Sequence, residues 1–429
     1  MQKSSFKAGM YLLENLTSGM YNDPLSIYRE YVQNAVDSFD MNYKSKGHYR
    51  VNIDLDPFTR SIRIFDNGMG ISTHNAEDIL SSIGDSNKRG LKLRGFRGIG
   101  RLGGIAFCDR AIFRTKAEGE DTETIQEWDC RKLKNILENT NQSLTFKQVF
   151  NKITSFEKKN NRQKNGSYFE VVLKDVSSFR NSIFDIEKVR QYLSQVAPIP
   201  FNPNLFSFSD KIDKYLAHNL RHYGKYNIFI NGEQIFKPYR DRIRTTKSKS
   251  GGWDNIYDVE LFEINIGNNK PIAYGWYGKR NALLGSISKG ESCSGIRVRV
   301  GNIMIGSSHL LDKCFREDRF NSYVIGEVHV NSEELIPNSR RDDFIDNKAK
   351  TLFYNAIEKH IGLPISKNIR LKSRLSSQKS ETVNTYNENR NLSLKSSQSQ
   401  FLNIEDYINK LCNQCETSKK IISKLKMTF

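Results

Sequence analysis

Glu30, Asn34 and Asp37 stand four and three positions apart within a stretch that also carries regularly spaced apolar residues. At 100° per residue the three polar side chains converge within about 60° on one side of a helix, while Leu25, Tyr28, Val32, Ala35, Val36 and Phe39 share another. One side packs and the other presents an acid, an amide and an acid. A carboxylate there can orient or deprotonate water, and an amide oxygen suits a hard cation. Taken alone, this is also how a solvated helix face reads.

Two further segments change the reading. Val51–Leu55 and Ser61–Phe65 alternate as strands joined across Asp56-Pro57, and the second runs into Asp66-Asn67-Gly68-Met69-Gly70. An acid at a strand end followed by two glycines lets a ligand ring approach the backbone while the carboxylate accepts from an amino group. The third segment begins at Gly84-Asp85-Ser86-Asn87-Lys88 and continues as Arg94-Gly95-Phe96-Arg97-Gly98-Ile99-Gly100-Arg101. Its glycines allow amides to turn toward an anion, and Lys88, Arg89, Lys92, Arg94, Arg97 and Arg101 have no acidic neighbour between 88 and 101. A dinucleotide fingerprint should directly follow the first strand of a βαβ unit, which this segment does not.

In this order and spacing the segments resemble the GHKL superfamily of ATP-binding proteins (gyrase, heat-shock chaperones, histidine kinases, MutL), together with the related MORC ATPases. The resemblance runs from about Tyr11 to Asp175. It implies that Glu30 is the general base, Asn34 the Mg²⁺ ligand and Asp37 a supporting acid. Asp66, Gly68 and Gly70 match the box that reads the adenine amino group. Ser86, Lys88, Gly95, Arg97, Gly98, Ile99 and Gly100 fall in the segment leading into and forming the phosphate-covering lid, and Gly166-Ser167 stands where the family has Gly-Thr, with Ser167 keeping the hydroxyl. The implied cofactors are ATP and Mg²⁺. The implied fold is α+β: a Bergerat-type ATP-binding sandwich, then a transducer-like α+β domain.

The elements that must position these residues divide the 429-residue chain into an ATP-binding domain over 1–198, a second α+β domain over 199–364, a polar linker over 365–400 and a C-terminal helix over 401–429. Tyr226–Ile235 reads as a hairpin of the second domain because Asn231-Gly232 supplies two positive φ values. Glu157–Asn165 reads as a charged exposed loop. The polar linker composition cannot offset the entropy of ordering, so the tail is expected to be partly disordered.

GHKL proteins other than kinases send a basic residue from the second domain to the terminal phosphate. Arg340 or Arg341, in Asn338-Ser339-Arg340-Arg341-Asp342, and Lys279, in Gly275-Trp276-Tyr277-Gly278-Lys279, are the candidates. The first histidine, His48, follows the acidic helix, which disfavours a histidine kinase.

Composition narrows the class. No run approaches ~18 consecutive apolar residues, so membrane spans are not expected, and six scattered cysteines fit a reduced cytoplasmic protein. Cys412 and Cys415 form a CxxC without a second ligand pair. The net charge of +18 draws polyanions, and residues 366–429 carry 12 basic and 5 acidic side chains. Two functions follow: an ATP-hydrolysing conformational switch of chaperone or MORC type, with lid closure, an ATP-dependent homodimer and a protein client; or an ATP-gated nucleic-acid-binding module in genome maintenance or phage defence.

Overall fold

Strand alternation decides which side chains face the first core. β1 (Arg50–Asp56) buries Val51, Ile53 and Leu55, and β2 (Ser61–Asp66) buries Ile62 and Ile64. The same parity places Asp66 on the buried side of β2. A computed structural model of the chain describes residues 8–17, 23–41, 49–84, 98–139, 144–162, 166–177, 181–246, 252–266 and 271–378.

Among the described residues the first sheet has eight strands. They are ordered β5 (Thr154–Asn160), β4 (Thr122–Asp129), β3 (Arg110–Lys116), β6 (Tyr168–Lys174), β2, β1, β7 (Asn227–Ile230) and β8 (Glu233–Gln234). The helix α1 (Tyr11–Thr17) precedes the site helix α2 (Ser26–Met41). Asp23-Pro24 forms the turn into α2, with Leu25 N donating to Asp23 Oδ1 at 3.0 Å. Tyr28, Val32, Ala35, Val36 and Phe39 of α2 share one buried cluster with Ile53, Ile62 and Ile64 of the sheet. Each such side chain contributes about 1.5–3 kcal/mol by burial. A charge in place of Val32 would therefore break both the packing and the presentation of the polar face. The short α3 (Ala76–Ser81) and a 3₁₀ stretch over Gly100–Phe107 complete the surroundings of the site.

Three expectations change here. The hairpin Tyr226–Ile235 joins the first sheet, not the second domain: β7 pairs parallel with β1, from Arg50↔Asn227 to Ile53↔Ile230. Asn231 is the turn residue with positive φ, but its amide also binds the β1 backbone, accepting from Leu55 N at 2.8 Å and donating to Leu55 O at 3.2 Å. A boundary at 198 therefore does not separate the sheets. The charged segment starting at Glu157 is first an edge strand, since β5 extends to Asn160, and its exposed Lys158 and Lys159 discourage another strand from adding there. The polar linker expected from 365 is helical through 378, where Ile365 and Ile369 are buried at helical spacing. The remaining linker, the 401–429 helix and the CxxC lie outside the described residues.

α4 (Cys130–Glu138), α5 (Phe146–Ile153) and α6 (Ile186–Val196) follow along the chain, and the end of α6 is bonded to the second sheet through Gln195. That sheet runs β13 (Ile303–Ile305), β12 (Gly295–Val300), β14 (Ile325–Val330), β11 (Ala273–Arg280), β10 (Gly252–Ile264) and β9 (Arg242–Thr245). α7 (Ser209–Asn219) contributes Ile212 and Leu216 to its core beside Phe201, Phe206, Tyr239 and Trp276. α8 (Lys348–Ile357) passes through a π turn at Glu358–Gly362, where a side chain on Gly362 would lie 1.9 Å from Cys314 O. Residues 1–366 form one unit, and a second begins at Lys367. No helix among the described residues is long and apolar enough to cross a membrane.

Candidate functional site

A cavity of about 560 Å³ opens between α2 and the end of β2, and its walls include Asn34, Ser38, Asp66, Met69, Gly70 and Ile79. The amide of the helix motif and the aspartate of the strand-end motif, far apart in sequence, thus meet in one space. The wall is mostly apolar, which suits a flat ring with a few polar groups at its edge.

The bend that carries Asp66 is held from several sides. Asp66 is buried and its Oδ1 accepts from Gly68 N at 2.9 Å. Met69 N donates to Ser38 Oγ at 2.9 Å, and Ser167 Oγ donates to Gly68 O at 2.6 Å. Ser167 therefore stands behind the bend, as a support. Gly70 has φ +61°, and a Cβ there would lie 2.0 Å from Lys116 O, so only glycine lets the bend pass beneath β3. Asp37 is fully buried and is not among the walls of the cavity.

Glu30, one helical turn before Asn34, lies at a second focus. A Cβ on Gly100 would stand 2.7 Å from Glu30 Oε2, so the glycine keeps that oxygen uncovered. Gly98 has φ +68°, and Ile99 precedes the 3₁₀ stretch. Tyr31 fastens this stretch to α2: its hydroxyl donates to Arg101 O and accepts from Gly104 N, both at 3.1 Å. Ser86, Lys88, Gly95 and Arg97 lie outside the described residues.

The other oxygen of Glu30 is paired. Arg29 Nη2 approaches Oε1 at 3.2 Å and Arg341 Nε approaches it at 3.5 Å. Arg341 sits on the loop between Ile336 and Ile345 with φ +58°, a left-handed conformation that costs a non-glycine residue roughly 1–2 kcal/mol. Asn338 holds that turn, receiving Arg341 N at its carbonyl at 3.2 Å and Asp342 N at its Oδ1 at 3.2 Å. Arg29 Nη2 also donates to Arg340 O at 3.3 Å, so α2 and the loop are joined twice.

Of the three cations expected to approach the phosphate, the geometry brings Arg341 to Glu30. The Arg340 side chain is 62% exposed and pairs with Asp342 at 3.3 Å. Lys279 Nζ is engaged on β10 by Glu260 at 2.5 Å and Asp258 at 3.4 Å, and no described contact joins it to the cavity. Arg101, read as part of the cationic loop, is instead a buried brace. It donates to Ile79 O at 2.9 Å and to Ser82 O, and burial pulls its guanidinium down to about 10. Arg29 and Ser38 were missed because each follows or precedes a motif residue directly, about 100° away on the helix, where periodicity gives no sign.

Residues 26–160 match the family described as histidine kinase-, DNA gyrase B-, and HSP90-like ATPase. A chaperone protein HtpG from Acinetobacter baylyi is 28% identical over 141 residues, covering 28% of this chain and 22% of that protein. The HtpG of Escherichia coli K12 is 26% identical over 140 residues, with the same two shares. The aligned region thus spans about a fifth of the length of these relatives. Residues 26–160 are therefore similar to the GHKL superfamily of ATP-binding proteins, with their likeness in the heat-shock-chaperone branch.

Proposed function

We propose that the chain is an ATP-hydrolysing conformational switch in which Glu30 acts on the attacking water and Arg341 reports the terminal phosphate. The observation that carries this reading is the meeting of Asn34 and Asp66 at one cavity, with Glu30 one turn away beside an unobstructed glycine. Asp66 accepts from the adenine amino group, and Ser167 and Ser38 hold its bend. Asn34 offers one amide oxygen to Mg²⁺, which keeps most of its waters and neutralises phosphate charge when bound. That donor set fits the ion, because the phosphates supply the remaining anionic ligands.

Two guanidiniums engage Oε1 of Glu30, which keeps that oxygen from the attacking water. A terminal phosphate is a stronger bidentate partner for arginine than a carboxylate shared at 3.5 Å. Transfer of Arg341 to the phosphate leaves Glu30 with Arg29 alone on Oε1 and draws the 336–345 loop toward the nucleotide. The stretch that begins at Gly98, Ile99 and Gly100 faces the phosphates. Movement of the loop in turn supports pairing of two chains through their ATPase domains, and Asp37 stabilises α2 from within.

Isothermal titration and phosphate release test this together. Glu30→Ala should retain ATP binding and lose turnover by about 10²–10⁴-fold. Asp66→Asn should weaken ATP binding by about 1–3 kcal/mol, the cost of leaving a buried polar group mismatched. Unchanged turnover in the first variant or unchanged affinity in the second removes that residue's role. Sedimentation with a non-hydrolysable ATP analogue then asks whether mass doubles.

A further inference from the structure

At the edge of the second sheet, far in sequence from the ATP motifs, two arginines and an indole form a surface that the ATPase reading does not use. β9 is the edge strand, and its alternation buries Ile243 and Thr245 while exposing Arg242 and Arg244. On β10, Trp253 lies opposite Arg244 and Asn255 opposite Arg242. The guanidinium carbons of Arg242 and Arg244 stand 4.5 and 5.0 Å from the centre of the Trp253 ring. Trp253 is 52% exposed and Tyr257, on the same outward side of β10, is 56% exposed.

Charge on this face is unbalanced. Neither guanidinium has a carboxylate partner among the described residues. Where β10 pairs with β9 its one acid, Asp254, is buried and held by Arg280 at 3.0 Å, and farther along β10 Asp258 and Glu260 are already engaged by Lys211 and Lys279. Stacking on the indole holds the two cations in place, so less side-chain entropy is lost when an anion arrives. Trp253 and Tyr257 are four residues apart on a strand, about 13 Å, so they reach different units of an extended ligand.

We propose that this β9–β10 face binds single-stranded nucleic acid, with Arg242 and Arg244 on phosphates and Trp253 and Tyr257 stacking on unpaired bases. An acidic peptide would satisfy the arginines but offers no flat rings, and a duplex keeps its bases stacked on each other. The site is separate from the ATP cavity and needs no nucleotide.

The chain has three tryptophans, and Trp128 and Trp276 are fully buried, so quenching of intrinsic fluorescence reports Trp253. Full-length protein without ATP is titrated with 20-nucleotide oligo(dT) and oligo(rU), a duplex of equal length and polyglutamate, across a salt series. Single strands should quench; the oligo(dT) and oligo(rU) arms tell DNA from RNA. With labelled oligonucleotide, Trp253→Ala should weaken binding about 5- to 150-fold, the loss of one stacked base. Arg242→Ala with Arg244→Ala should lower the slope of log affinity against log salt by about 1.4, two phosphates at ~0.7 each. Glu30→Ala should bind the strand like the parent chain, which separates this site from the ATPase reading. Affinity and salt slope unchanged in both surface variants, or equal Trp253-dependent binding of duplex or polyglutamate, overturns the proposal.

Discussion

Glu327 and Glu30 each meet a pair of cations, and their surroundings differ. Glu327 is completely enclosed, with Arg299 Nε and Lys237 Nζ both at 2.6 Å, His329 Nε2 at 3.0 Å and the Tyr239 hydroxyl at 3.1 Å. Arg299 continues outward to the end of α6, donating to Gln195 O at 2.7 Å. Both oxygens there are engaged, and Glu327 lines neither of the described cavities. Glu30 retains about a tenth of its side-chain surface, meets its cations at 3.2 and 3.5 Å through one oxygen, and has Gly100 beside the other. A saturated carboxylate fixes the fold, whereas a half-satisfied one with room beside it can exchange partners.

Truncation breaks the two clusters differently. Glu327→Ala strands two buried cations and should cost about 3–5 kcal/mol in urea unfolding. Glu30→Ala should cost only about 1 kcal/mol in the same assay, because Arg29 borders a cavity and keeps its bond to Arg340 O. Equal costs would erase the contrast. The next largest effect is kinetic: Arg341→Ala should slow ATP turnover by about 10- to 100-fold, as loss of a charge-assisted contact worth ~1.5–3 kcal/mol, while Arg340→Ala stays within about twofold. Steady-state rates at saturating ATP decide between them, and the reverse ranking would reassign the loop.

The smallest effect concerns pH. Burial lowers the His329 imidazole to about 4, in keeping with a donor contact from Nε2 to Glu327 and an Nδ1 that has no described partner. Between its ordinary pKa of about 6.5 and about 4, the unfolded chain takes a proton that the folded chain refuses. Stability should therefore fall as pH drops through that window, and His329→Gln should flatten this part of the profile. Burial alone would raise Glu327, but Arg299 and Lys237 hold its carboxyl well below the usual range. Its own contribution persists above the ordinary carboxylate pKa and is lost only at lower pH, outside most of the histidine window. Melting temperatures across pH 4–7 measure the difference.

How much of this was legible follows from the range of each signal. The helix carrying Glu30 and Asn34, and the strand end carrying Asp66, are written locally in periods of 3.6 and 2, and both occur where expected. Asn231-Gly232 announced a tight turn, but nothing local says which sheet edge a hairpin joins, and β7 went to β1. Arg341 was one of three cations because spacing cannot choose between adjacent arginines. The left-handed backbone at Arg341, fixed by Asn338, sets its side chain beside Glu30. The exposure of Trp253 was not legible, since an indole's exposure depends on what packs beside it.

The parallel pairing of β7 with β1 also bears on how the chain is made. While the ribosome has delivered only the first two hundred residues, β1 presents a bare row of amides and carbonyls that no downstream strand yet covers. Completion of the sheet beneath α2 must wait for residue 230, so a fragment ending at 198 should be sticky where the full chain is not. Any excision of the N-terminal half for expression should therefore keep the Asn231 hairpin.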